Sequence, residues 1–403
     1  MIIAMNIIPH SKPFPVFGSV DDNTIKQMSS CLDSPYAVRG AIMGDGHLGY
    51  SLNVGGVIAL RDAISPNFVG FDIACGNCAV LLDVDAEHVT KNIESIMDSV
   101  FSTISFGVGR KNGEKVDHDL FDDPAWEIDS VKPLKQMARE QLGTVGSGNH
   151  YVDIFRDENS RIWVGVHFGS RGLGHKIATH YVKAGGGKDG IFAEPVILED
   201  SSTLGKEYIA AMNLAGRYAY AGRDWVCDRV AKIIGSNVIE RVHNHHNFAW
   251  RENHFGEDLW VIRKGATPAF PNQKGFVGGT MGENSVILEG ADSETSKVAL
   301  YSTVHGAGRV LSRTQALGRN KFDKATKIRS ETQVGLVSQK MMDDWVRGAN
   351  VCLRGGGRDE SPHCYKRLSE VLAAQGNTIR ILHTLTPLGV AMAGKAEFDP
   401  YRD

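Results

Sequence analysis

Strand-like and helix-like segments follow one another along this chain without strict alternation, and that order decides the fold class. Short apolar runs bounded by Gly, Asn and Asp occur at 55–61, 79–84, 161–167, 259–263 and 285–289, and they read as strands. Helical spacing occurs at 87–101, 134–142, 206–234, 332–347 and 369–374. A doubly wound parallel sheet needs a helix between consecutive strands, which this order does not supply. The expected class is α+β: mixed β-sheets or a sandwich core flanked by helices. The longest segment, 206–234, has apolar residues at three-to-four spacing opposite an Arg/Asp-rich face. It is expected to be a surface helix packed on the core. Residues 1–10 (MIIAMNIIPH) are expected to form a buried first strand, because they lack the basic flank and cleavage site of a signal peptide. The polar stretches 111–124 and 183–190 are expected to be solvated loops. No repeat, linker or shift in composition divides the chain, so 1–403 is expected to be a single domain.

Composition excludes several classes of function. Six cysteines in 403 residues are too few for a disulfide scaffold, which leaves thiols, metal ligands or buried hydrophobes. With 44 basic against 47 acidic residues, the chain is not coated in positive charge for non-specific nucleic-acid binding, although a local basic groove remains compatible. No run approaches the ~20 apolar residues of a membrane span. A soluble, cytoplasmic protein without a membrane partner is expected.

The chemistry gathers around histidine and glycine. The 15 histidines cluster in DGH (45–47), GSGNH (146–150), VHFGSR (166–171), HNHHN (243–247) and TVHGAGR (303–309). Each cluster pairs His with Gly or Asn, where a missing Cβ allows close backbone approach to a ligand. Neutral imidazole favours transition metals. In FDIACGNC (71–78) the Cys-x-x-Cys invites a redox or zinc reading. No second Cys-x-x-Cys follows, and His175 and His180 lie too far downstream for a compact zinc finger. A strand-like run after the motif also suits a redox helix poorly. Asp72 and Cys75, three residues apart on a Gly-punctuated turn, make the better pair. With His150, His167 and His246 they would supply five ligands, enough for two sparsely coordinated ions with open positions. Cys78 is expected to start the next strand as a small buried hydrophobe. His305, followed by Gly-x-Gly and by Arg309 and Arg313, suggests a nucleophile or acid/base beside a phosphate clamp. GGTMGENS (278–285) has the composition of a loop that cradles phosphates.

Nearly end to end, the chain resembles the RtcB family of GTP- and manganese-dependent RNA ligases. The resemblance rests on MGDGHLG (43–49), GFDIACG (70–76), GTVGSGNH (143–150), HFGSRG (167–172), HHN (245–247), HGAGR (305–309) and DESPHCYK (359–366) in that order. It implies an RtcB-like fold around a dinuclear metal pocket and a ligase that joins RNA 3′-phosphate or 2′,3′-cyclic phosphate ends to 5′-hydroxyl ends. It implies that His305 is guanylylated by GTP and passes the guanylate to the RNA 3′-phosphate, in RNA repair or tRNA splicing. The resemblance makes Asp72, Cys75, His150, His167 and His246 ligands of two Mn²⁺ ions, with Cys75 as the bridge. His246 is preferred to His245 because it directly precedes Asn247. The nucleotide would be surrounded by Asn149, Thr280, Ser285, His305, Gly306, Ala307, Gly308 and Tyr365, while Arg171 and Arg309 would hold RNA or transferred phosphate. The chain departs from the family pattern in Tyr151 and Asp153 after GNH, in Gly278-Gly-Thr280, and near its end, where PLGVAMAGK (387–395) has no lysine at the family's place and a further tail runs to Asp403. The readings beside this one are a paralogue that caps 3′-phosphate ends or repairs one special RNA break without general sealing and, further off, a Mn-dependent phosphoesterase or a non-catalytic RNA-binding module.

Overall fold

A computed structural model describes residues 5–188, 190–322 and 329–394. Two mixed sheets dominate. The first has six strands in the order Met5–Ile8, Phe14–Phe17, Ala37–His47, Val54–Leu60, Glu257–Lys264 and Asn247–His254. Only the pair Phe14–Phe17 with Ala37–His47 is parallel. The second has eight strands. Its order is Val238–His245, Gly76–Leu82, Ile162–Phe168, Tyr151–Asp157, Ile379–Met392, Ser285–Gly290 and Lys274–Val277, with Cys352–Arg354 parallel to Ile379–Met392. The second sheet curls until its two edge strands approach. Side chains, not backbone, bridge the gap: Asn77 Nδ2 donates to the Phe276 carbonyl at 2.9 Å, and Phe276 N–H donates to Asn244 Oδ1 at 3.2 Å. Phe155, Trp163, Phe276 and Ile287 fill the inside of the curl.

Packing explains the class. One face of the first sheet is covered by helices, with Ile42, Ile58 and Ile262 sharing a core with Leu173, Tyr208 and Tyr218. Its other face meets the edge of the second sheet, where Val57, Ala59 and Val261 pack on Val277, Val286 and Leu288. The mixed sheets with flanking helices therefore agree with the expected α+β class, and the sandwich contact is limited to that edge.

Several expectations are corrected. The long helix runs over Thr203–Ile234 and is not a surface helix. Its first half packs into the core of the first sheet through Tyr208, Met212 and Tyr218, and its second half into that of the second through Val226, Cys227 and Val230. Arg223, read from its polarity as part of an exposed face, is fully buried because four internal acceptors satisfy its donors. The segment 87–101 is two helices, Ala86–Lys91 and Ile93–Thr103, broken where Asn92 leaves helical geometry (φ −108°, ψ 13°). The segment 332–347 divides into a strand, Arg329–Val334, and a helix, Gln339–Gly348, whose start is capped by Ser338 accepting from Met341 N–H. The stretch 111–124 is not merely solvated, since Leu120 and Phe121 are buried beside Trp126. Met5–Ile8 is an edge strand with Ile7 53% exposed, not a buried one; residues 1–4 lie outside the described residues, as do Asp189, Lys395 and the tail to Asp403. Among the described residues no helix is long and apolar enough to cross a membrane.

Candidate active site

Four adjacent strands of the second sheet place the chemistry at one end. In register, His245 lies opposite Gly76, Gly76 opposite Phe168, and Tyr151 opposite His167. The residues at or beside these positions are His246, Cys75, His167 and His150. Segments scattered over 170 residues of sequence thus meet because the strand order, not the chain order, sets who is adjacent. They line a cleft of about 350 Å³, with His305 and the loops Gly278–Met281 and Gly306–Arg309 on its other walls.

Two overlapping groups of donors form in the cleft. Cys75, His167 and His246 make one, and Asp72, Cys75 and His150 the other, with Cys75 common to both. Cys75 Sγ lies 3.3 Å from His167 Nε2 and 3.6 Å from His150 Nε2. His150 Nε2 is 3.1 Å from Asp72 Oδ2, and His167 Nε2 is 3.3 Å from His246 Nε2. Burial pushes His167 and His246 well below the usual imidazole range, so both rings are neutral. His167 Nδ1 donates to the Asn149 carbonyl at 3.0 Å, which turns its lone pair at Nε2 toward Cys75 and His246. His246 Nδ1 is buried without a hydrogen-bond partner. Burial raises the Asp72 carboxyl, but the His150 hydrogen bond and charge, with Arg171, outweigh it and hold the group at about 2. Burial and Asp72 push the Cys75 thiol well above its usual range. Lone pairs aimed at common points, with too few hydrogens between them, are the chemistry of a metal-ligand set, and five such donors fit a pair of transition-metal ions. His245, by contrast, accepts from Arg223 and stacks on Tyr220, facing away from these groups.

His305 stands beside them, its ring centroid 4.7 Å from that of His246. Its Nδ1 is 2.6 Å from Oδ2 of Asp45, a fully buried carboxylate that also accepts from His305 N–H at 3.0 Å. The aspartate fixes the tautomer, so Nε2 is the atom left with a lone pair for the cleft. Asp45 is itself held in place. Lys366 Nζ donates to the carbonyls on either side of it, Gly44 and Gly46, at 3.0 and 3.3 Å. Neither Asp45 nor Lys366 was singled out from sequence; both lie within the motifs MGDGHLG and DESPHCYK, which was the available signal.

The remaining residues expected at the site divide. Asn149, Thr280, Gly306, Ala307, Gly308, Tyr365 and Arg309 all line the cleft. Arg309 lies over the Tyr365 ring at 4.8 Å and pairs with Glu360 at 2.8 Å, and the Tyr365 hydroxyl also bonds Glu360. Ser285 and Arg171 are not on the wall. Ser285 Oγ accepts from Gly279 N–H at 2.9 Å and so shapes the 278–281 loop from behind. Arg171 Nη1 contacts His150 Nδ1 at 3.2 Å, on the side of that ring away from Cys75. Residues missed from sequence include His47, Asn77, Lys264 and Glu360, all on the wall, where Arg313, read from sequence with Arg309 as a phosphate clamp, also lies. Burial lowers His47 to about 4, and its Nδ1 donates to the Asp45 carbonyl at 2.9 Å. Cys78 is fully buried in the strand Gly76–Leu82, as expected of a small hydrophobe, with Cys227 Sγ 3.7 Å away.

Known proteins are similar to this chain along nearly its whole length. A family model described as tRNA-splicing ligase RtcB matches residues 27–131 and 125–393. The chain is 29% identical to the RNA-splicing ligase RtcB of Escherichia coli K12, over 91% of this chain and 93% of the relative. It is 27% identical to the tRNA-splicing ligase RtcB of Thermococcus kodakarensis, over 92% and 91% respectively. A homologue from Entamoeba histolytica, RNA-splicing ligase RtcB homolog 1, is 26% identical over 96% of this chain. With a family model covering most of its length and relatives matched along nearly all of theirs, the chain belongs to the tRNA-splicing ligase RtcB family.

Proposed function

We propose that this protein is a GTP-dependent RNA ligase that joins 3′-phosphate or 2′,3′-cyclic phosphate ends to 5′-hydroxyl ends, in RNA repair or tRNA splicing. One observation carries the reading: five metal-type donors meet at Cys75 beside a histidine whose Nδ1 is held by a buried aspartate. Two Mn²⁺ ions held by Asp72, Cys75, His150, His167 and His246 would supply Lewis-acid stabilisation of phosphoryl charge. His305 Nε2 attacks the α-phosphorus of GTP, its bond to phosphorus forms, and pyrophosphate leaves. Asp45 stabilises the positive charge that develops on the ring as that bond forms. An oxygen of the RNA 3′-phosphate then displaces His305 from the guanylate phosphorus, giving an RNA end activated by a GMP leaving group. A cyclic phosphate is first opened by water. The 5′-hydroxyl finally attacks the RNA phosphorus and expels GMP. The loops 278–281 and 306–309 line the cleft where the nucleotide phosphates would lie, and the Tyr365 ring offers a face for the base.

The test uses Mn²⁺ and α-labelled GTP. Acid-labile, base-stable label on the protein is expected, absent from His305→Ala. No label on the wild type, or full label on His305→Ala, would sink the guanylylated-histidine mechanism. Adding 3′-phosphate and 5′-hydroxyl RNAs then separates sealing from capping, because a capping enzyme accumulates guanylylated 3′ ends. A phosphoesterase turns over without any covalent nucleotide.

A further inference from the structure

Arg223 is fully buried, yet its hydrogen bonds go to no carboxylate. Its Nη1 donates to the carbonyl of Ala74, the residue before Cys75, at 2.9 Å, and to the carbonyl of Phe168, the residue after His167, at 2.5 Å. Its Nη2 donates to Nδ1 of His245, the residue before His246, at 2.8 Å, and its Nε to His243 Nε2 at 2.7 Å. One planar fork therefore touches the immediate neighbour of each member of the Cys75, His167 and His246 group. Beyond Gly76 these strand ends are tied by a few backbone bonds, such as His246 N–H to the Cys75 carbonyl at 2.8 Å and Ser170 N–H to the Ile73 carbonyl at 3.2 Å, and the Arg223 fork adds bonds to all three at once. Arginine suits this place because five N–H donors in a rigid plane fix several acceptors at once, which a lysine cannot do.

The helix that carries Arg223 is built to bring it there. Gly216, Tyr220 and Arg223 lie four and three residues apart, on one face of Thr203–Ile234. Tyr220 stacks on His245 with ring centroids 3.9 Å apart. At Gly216 a Cβ would come within 2.9 Å of the Phe248 ring and 3.5 Å of His245 Nε2, so the helix approaches closely only because that residue lacks one. A buried cation without an anionic hydrogen-bond partner is costly, and an apolar residue at this position would fill the same space more cheaply. Its retention here points to what its donors hold.

We propose that Arg223 is a positioning residue for the candidate metal centre, setting the mutual placement of Cys75, His167 and His246 from behind. This rests on the metal-centre reading above. Its removal leaves all five donors in the chain but frees the three strand ends to shift. The expected loss of metal affinity is about 10–100-fold, as for other residues that orient ligands without touching the ion.

The full-length protein is titrated with Mn²⁺, free ion being followed by its paramagnetic resonance signal, for wild type, Arg223→Met and Arg223→Lys. The Co²⁺-loaded forms are compared by their visible absorption, which reports ligand geometry. Weaker Mn²⁺ binding in both variants, with altered Co²⁺ bands in Arg223→Lys, is expected. Arg263→Met is the comparison, because Arg263 is equally buried but bonds Glu252, Ser302 and the Leu300 carbonyl. It should lose stability and keep Mn²⁺ affinity. If Arg223→Met does not fold, Arg223→Lys, which keeps the charge, carries the decision. Wild-type Mn²⁺ affinity and an unchanged Co²⁺ spectrum in a folded Arg223 variant, or an equal affinity loss in Arg263→Met, would overturn the assignment. Wild-type protein that binds no Mn²⁺ would overturn the metal centre itself.

Discussion

At the scale of single residues, His305 could in principle offer either ring nitrogen, and Asp45 removes the choice. Its Oδ2 is 2.6 Å from Nδ1 and 3.0 Å from the His305 backbone N–H, so ring and backbone are fixed by one oxygen. Asp45→Asn keeps the shape and loses the charge that, on the proposed mechanism, would balance a ring bonded to phosphorus. The rate of guanylate transfer from GTP to the protein should fall by about 10²–10⁴-fold, the usual range for a group acting on a proton-bearing partner. Rapid-quench labelling measures it, and an unaltered rate would show that His305 needs no such partner. The donor types that meet in the cleft were legible in the sequence, because Cys, His and Asp in Gly-rich turns already restrict the chemistry. Asp45 was not, since an acid between two glycines reads equally well as a turn. Arg223 was read backwards: its charge suggested solvent, and only the four acceptors around it explain its burial.

At the scale of elements, the site depends on how closely two strands can run. A Cβ on Gly76 would meet the Asn244 carbonyl at 2.2 Å and Arg223 Cζ at 3.1 Å, both held by neighbours that cannot move far. Gly76→Ala should push the strand Val238–His245 away from Gly76–Leu82 at the end that carries His246. A cost of about 1–3 kcal/mol in urea unfolding is expected, as for other overpacked interiors, together with weaker Mn²⁺ binding. A variant with wild-type stability would mean that the strands have slack at this point. Sequence periodicity located the strands well. The runs at 79–84, 161–167 and 285–289 differ from Gly76–Leu82, Ile162–Phe168 and Ser285–Gly290 only at their ends. It failed where polar residues stayed in helical phase across a break, at Asn92 and again between Val334 and Ser338, because hydrophobic spacing records phase and not continuity.

At the scale of the whole molecule, convergence was the part that no local pattern could reveal. The four strands bearing the donors are adjacent in the order Val238–His245, Gly76–Leu82, Ile162–Phe168, Tyr151–Asp157, which is not their order in the chain. A centre that ties these strands together should report on global folding. Ions that bind the folded state alone stabilise it by about 2.7 kcal/mol at 100 times their dissociation constant. Mn²⁺ should therefore raise the unfolding midpoint of the wild type. Cys75→Ala should abolish that rise, because Cys75 belongs to both donor groups. Cys78→Ala should lower the metal-free midpoint by opening a small cavity in the core, and still respond to Mn²⁺. The response should also depend on pH. Burial and Asp72 raise the Cys75 thiol, so at neutral pH the metal-free protein keeps that proton and the ion must displace it. One proton released per bridging thiolate makes the apparent affinity rise up to about tenfold per pH unit below the thiol pKa. The Mn²⁺-induced shift in midpoint should accordingly be larger at pH 8 than at pH 6. His167 and His246 add little to this, because burial already keeps them neutral across that window. Equal Mn²⁺ responses in Cys75→Ala and Cys78→Ala would place the ions away from Cys75, and a shift that did not vary with pH would mean that the thiol proton is not displaced.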